Sequence, residues 1–150
     1  MKTYYIFKIN SYFAYVYQNK PYKMYKMLEE LYHTKEYDIV LTYRMYEQLA
    51  IPFSKSKLND FVSEVYKGCS SYYRNNNTHI LNTTTSSSKL VIGGANLKIK
   101  STVNYPTFFD VIMSYSDNLF VCDFINKDYF WLDKIRKNNC QKEFNIVQYQ

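Results

Sequence analysis

The sequence predicts an α+β domain, a small and mostly antiparallel sheet packed against several short helices. Three patterns carry this expectation. The opening Tyr4 to Ile9 is aromatic and β-branched, which suits a pleated, half-buried strand. Two later stretches, from Pro21 to His33 and from Ser56 to Tyr73, repeat apolar residues at helical spacing. Residues 89–103 alternate apolar and polar side chains around Gly93–Gly94, as a hairpin does.

In the first strand Tyr5, Phe7 and Ile9 share one face. Asn10 or Ser11 can then cap a short helix running to about Gln18 by accepting an amide hydrogen bond at its first turn. Pro21 suits a first helical position, where its missing N–H costs no bond. Tyr25, Leu28 and Tyr32 form the stripe of that second helix, flanked by Met24 and Leu31, while Lys26, Glu29 and Glu30 face away. Asp38 to Leu41 can be extended, and Thr42 can cap a helix running through Leu49 before Pro52. In the stretch from Ser56 to Tyr73, Leu58, Phe61, Val62, Val65 and Tyr66 lie on one side. Residues 75–88 are rich in Asn, Thr and Ser and are expected as a mobile polar loop, with at most a short strand at 79–84. After the hairpin, Phe108 to Tyr115 predicts a short helix and Leu119 to Ile125 a buried strand. Asn126 to Asp128 makes a turn and Tyr129 to Leu132 returns. The expected organisation is one domain over 1–137, with a polar tail over 138–150.

Composition narrows the class further. The chain of 150 residues is 47% hydrophobic and 21% charged, values of a globular protein rather than a disordered one. With 18 Tyr and 10 Phe, one core of this size does not easily hold every ring, so some surface must carry them. The net charge of +6 is uneven, with seven basic and two acidic residues between 51 and 100. A mild surplus of this kind more often serves solubility, so direct nucleic-acid binding is not the leading reading. Cys69, Cys122 and Cys140 are odd in number and widely spaced, and His33 and His79 stand apart, which offers neither a disulfide framework nor a metal site. No apolar stretch approaches a membrane span, and Lys8 interrupts the N-terminal segment, so a cytoplasmic protein is expected.

Catalytic patterns are missing. There is no phosphate-cradling glycine loop, no nucleophile elbow and no zinc-binding helix motif. Asp123 lies inside the strand pattern FVCDFI, where a buried carboxylate needs a cation or a backbone N–H as partner. The expectation is a protein without enzymatic activity, cofactor or metal.

The first helix asks for something else. At about 100° per residue, Tyr12, Tyr15 and Val16 cluster on one side. Phe13 and Tyr17 point elsewhere, with Ala14 beyond them. One reading buries this helix on nearly every side. The other gives the Tyr12 stripe to the core and presents Phe13, Ala14 and Tyr17 to a second protein, with the alanine allowing close approach.

The opening YYIFKINSYFAYVY, with Tyr4, Tyr5, Phe13, Ala14 and Tyr17, resembles the start of the sporulation inhibitor of replication proteins, the SirA family. A second block, Phe108–Phe109–Asp110, Asp123–Phe124, Tyr129, Trp131 and Leu132, is similar to the family's C-terminal pattern. The 75–88 stretch and the tail after Lys137 fall outside the resemblance. It implies a protein that binds the N-terminal domain of the replication initiator DnaA and restrains initiation during sporulation, without a catalytic site. It also implies that Phe13 and Tyr17, with Ala14 between them, lie in the partner interface. The alternative function is a basic nucleic-acid-binding module using the 89–103 hairpin, through Lys89, Lys98 and Lys100, with Tyr72, Tyr73 and Arg74 nearby.

Overall fold

The structure, a computed structural model, describes residues 1–33, 44 and 47–135. Eight strands form one sheet in which every pairing is antiparallel. They are β1 (Lys2–Ile9), β2 (Ala50–Ile51), β3 (Tyr72–Asn75), β4 (Thr78–Asn82), β5 (Ser87–Ile92), β6 (Leu97–Ser101), β7 (Leu119–Asp123) and β8 (Asp128–Trp131). The helices packed against it include α1 (Ser11–Tyr17), α2 (Pro21–His33), α3 (Lys55–Val65) and α4 (Phe108–Tyr115). The strand order is β3-β4-β5-β6-β1-β7-β8, with β2 pairing the end of β1. The α+β expectation holds. Residues 34–43 and the tail after 135 lie outside the described residues, so the extended segment at 38–41, the cap at Thr42 and the polar tail do as well.

The alternation of β1 divides the core. Tyr4 and Ile6 point to one face and meet Leu58, Val62, Phe108, Phe109 and Ile112 from α3 and α4. Phe7 and Ile9 point to the other and meet Ala14, Met24, Tyr25, Leu28 and Leu31 from α1 and α2. Because strand side chains alternate, one strand serves both layers. Much of the tyrosine excess is absorbed on the second face. Tyr25 stacks on Tyr129 at 4.7 Å, Tyr32 stacks on Phe124 at 4.7 Å, and the Tyr32 hydroxyl donates to that of Tyr5 at 3.0 Å.

Two expectations are corrected here. The helix foreseen from Ser56 to Tyr73 stops at Val65, because the chain reverses through Gly68 at φ +83°, a conformation open to glycine and strained for other residues. Tyr72 is already in β3. The stretch foreseen as a polar loop with a short strand at 79–84 holds β4, hydrogen-bonded on both edges, and residues 83–86 turn, with Thr83 N–H donating to Ser86 O at 2.9 Å. A turn through Asn76, at φ 54°, joins β3 to β4.

A chain of polar side chains satisfies the buried imidazole that β4 carries. Arg74 donates to Ser63 Oγ at 2.9 Å, and Ser63 lies 3.3 Å from the Tyr72 hydroxyl. That hydroxyl is 2.5 Å from His79 Nδ1, His79 Nε2 is 2.7 Å from Asn59 Oδ1, and Asn59 Nδ2 donates to Asn77 Oδ1 at 2.8 Å. Since Asn59 Oδ1 can only accept, the Nε2 atom carries the proton and Nδ1 accepts from Tyr72. This arrangement needs a neutral ring. Burial, reinforced by the nearby Arg74 charge, pushes the His79 pKa down to about 4. The unfolded ring titrates near 6.5, so the unfolded chain binds the extra proton first. Stability is therefore expected to be complete above about pH 6.5 and to fall as pH drops towards 4, by up to about 3 kcal/mol. Urea melts across that window check it, and His79→Gln should flatten the slope.

Asp123 is buried at the end of β7. It is held by the Asn126 backbone N–H at 3.1 Å and the Asn126 side-chain amide at 2.7 Å. The carboxylate thus closes the β7–β8 turn, with Lys127 at φ 54°, and no cation is needed. Asp123→Ala should cost about 2 kcal/mol in urea unfolding. Asp123→Asn, which keeps one acceptor, should cost less.

Candidate protein-docking site

The site is built around α1, a helix short enough to depend on its anchors. Before it, Ile9 N–H donates to Asn118 O at 2.8 Å and Asn10 N–H to Leu49 O at 2.9 Å. Asn10 then caps the helix, its Oδ1 accepting from Tyr12 N–H at 2.9 Å. This satisfies one of the amides that a first turn leaves without an intrahelical partner. After the helix, Lys20 N–H donates to Tyr17 O at 2.9 Å, and Pro21 opens α2 at once. The Lys134 ammonium donates to Gln18 O from the other side of the site. Both ends of α1 are therefore fixed to the sheet or its loops.

The rotation of α1 differs from the one the sequence suggested. Ala14, expected on the partner side, faces the core at 6% exposure. Tyr12, Tyr15 and Val16, expected in the core, are exposed at 68%, 75% and 39%. Phe13 and Tyr17 are half-buried, with their inner edges against the cluster beneath α1 and α2. The smallest side chain of the helix meets the sheet because α1 follows β1 after a single residue and lies close against it. A ring at that position would hold it away.

Residues 12–17 include no charged or amide side chain. Around the helix, Tyr15, Tyr12, Val16, Phe13 and Tyr17 follow one another over an arc of about 200° at the helical angle per residue. Phe13 and Tyr17 lie nearly parallel, 7° between planes and 6.5 Å between centroids, and Tyr12 sets its edge against Phe13 at 5.5 Å. A surface helix of a self-contained protein usually turns a polar face to water. This one turns rings.

A cleft of ≈ 880 Å³ runs beside α1, between Tyr15 and Gln18 on one wall and Leu119, Leu132 and Lys134 on the other. Trp131 closes it, its indole N–H buried without a hydrogen-bond partner among the described residues. At its rim Lys8 reaches Asp117 Oδ1 at 2.9 Å and Ser116 Oγ at 2.8 Å, and the Lys8 hydrogen bond holds the Asp117 carboxyl below its ordinary range.

The other residues singled out in the sequence are not gathered here. Lys89, Lys98 and Lys100 lie on β5 and β6, Tyr72 faces the α3 side, and Arg74 pairs with Asp60 at 3.6 Å. Among the described residues no group of three His, Cys, Asp or Glu side chains could hold a metal, and no helix is long and apolar enough to cross a membrane. The sequence reading places Tyr12, Tyr15 and Val16 in the core, whereas they are exposed; the absence of any charged or amide side chain from 12 to 17 is the available signal.

The family model described as sporulation inhibitor of replication protein SirA matches residues 2–136, nearly the whole chain. No curated protein matches it.

Proposed function

Because the chain belongs to the SirA family of sporulation inhibitors of replication, we propose that it restrains replication initiation by docking α1 on the N-terminal domain of the initiator DnaA. Phe13 and Tyr17 are the anchors, and Ala14 seats the helix so that the outer edges of both rings face the partner. Tyr12, Tyr15 and Val16 extend the apolar surface that the partner covers. The observation that carries this reading is the outward arc of α1, four rings and a valine with no charged or amide side chain among them. Capped and tied at both ends, the helix loses little freedom on binding, which favours affinity. A standard interface buries about 800 Å² on each partner, more than a helix of two turns offers, so the walls of the neighbouring cleft belong to the contact as well. The inhibitor acts by occupying a surface of the initiator, and no chemical step is needed.

Calorimetric titration of the chain with the isolated N-terminal domain of the initiator from the same genome tests the proposal. Saturable one-to-one binding is expected, and the absence of heat and of co-elution at tens of micromolar would overturn it.

A further inference from the structure

The half of the sheet beyond α1 and α2 has a second, chemically different surface. Strands β3 to β6 send Tyr72, His79, Leu81, Leu90, Ile92, Leu97 and Ile99 towards α3 and α4. Their alternate residues point the other way, and the register aligns them in rows. Tyr73 lies opposite Ile80, Ile80 opposite Lys89, Lys89 opposite Lys100, and Lys100 opposite Thr3. In the next row Thr78 lies opposite Val91, Val91 opposite Lys98, and Lys98 opposite Tyr5. Tyr73 is 62% exposed, Lys89 and Lys100 are exposed, and Ile80 and Val91 are half-buried.

Neither row contains an acidic residue, and no carboxylate among the described residues pairs with Lys89 or Lys100. Lys98 instead holds its ammonium 5.8 Å from the Tyr5 ring centroid. Like charges directly opposite each other destabilise a sheet. Lysines that guard an edge against aggregation would explain such a cost, but β5 and β6 each have a partner on both sides. An anion lying across the strands would relieve that repulsion.

We propose that this face binds single-stranded nucleic acid, with a base stacked on Tyr73 and lying along Ile80, and phosphates reaching Lys89, Lys100 and Lys98. From Tyr73 to Lys100 the row crosses three strand spacings, about 14 Å, a distance that a few nucleotides cover. An open sheet with an exposed ring in line with cations suits unstacked bases, and it offers no helix or ribbon to enter a duplex groove. An acidic peptide would use the lysines and leave the ring idle. The surface does not involve α1, so it stands or falls separately from initiator docking.

Fluorescence anisotropy of an end-labelled oligothymidylate with the whole chain, at about 50 mM salt, tests this. Binding is expected to weaken with salt at a log–log slope of about −2, near 0.7 for each of three phosphates. Lys89→Gln with Lys100→Gln should remove about 1.4 from that slope. Tyr73→Ala should weaken binding about 10-fold and leave the slope unchanged. Phe13→Ala with Tyr17→Ala should leave it intact. No binding by the unmodified chain, equal binding by the double lysine variant, or equal competition by polyglutamate would each overturn the proposal.

Discussion

Phe13→Ala combined with Tyr17→Ala is expected to weaken binding to the initiator's N-terminal domain by about 100-fold or more. A central aromatic anchor contributes about 2 kcal/mol or more when truncated, and each 1.4 kcal/mol is tenfold in affinity. The two rings are neighbours one turn apart, and each shields the other, so their losses do not simply add. Far-UV circular dichroism should be unchanged, because Ala14 still seats α1 and the cap from Asn10 does not involve either ring. Since both rings are half-buried, thermal stability should fall slightly. Loss of binding together with loss of helical signal would instead assign both rings to the protein's own packing. Tyr12→Ala with Tyr15→Ala is the complementary pair. Both rings are exposed and only Tyr12 touches an anchor, Phe13, so a loss of affinity in Tyr15→Ala alone reads the interface directly.

The largest effect on stability is expected at Phe109. It is fully buried and sits among three other rings, with centroids 5.3 Å from Tyr4, 5.2 Å from Tyr105 and 6.1 Å from Phe130, all edge to face. These contacts join α4 to the central strand and to β8 at once. Phe109→Ala would open a cavity that none of the three can fill without leaving its own partners, as Tyr4 also donates to Asn104 O at 3.0 Å. The expected cost is about 4 kcal/mol. For a chain of this length that lowers the melting temperature by roughly 8–16 °C. Phe109→Leu, which refills part of the volume, should cost less than half as much. A cost below about 1 kcal/mol for the alanine variant would show that α4 is not the keystone of that layer.

The elements readable in the sequence are those whose side chains repeat with one clear period. The stripe of Tyr25 and Leu28, the Pro21 start, and the alternation of Leu90, Ile92, Leu97 and Ile99 each predict the observed element and its buried face. The polar hairpin read only as a short strand within a loop. In β4 the inward residues are His79 and Leu81, and a buried histidine beside asparagines resembles loop composition until Asn59 and Tyr72 arrive from elsewhere to satisfy it. The site was half legible. The position of the candidate docking helix follows from its lack of charged or amide side chains over residues 12–17, but its rotation does not. When the side chains are nearly all aromatic or aliphatic, periodicity has little contrast, and orientation is set by which residue is small enough to lie against the sheet.

The place of β1 has a consequence for how the protein is made. β1 is translated before every strand it pairs with, and it ends in the middle of the sheet, flanked by β6 and β7. Apart from the two residues of β2, its partners begin at residues 97 and 119, so at roughly 10 residues per second it waits on the order of ten seconds for most of either edge to be covered. During that time a ribbon of Tyr, Phe and Ile is exposed on the nascent polypeptide, and closing such distant pairs is slow even afterwards. Yield in cells should therefore depend on chaperone capacity and translation speed more than a chain of this size would suggest.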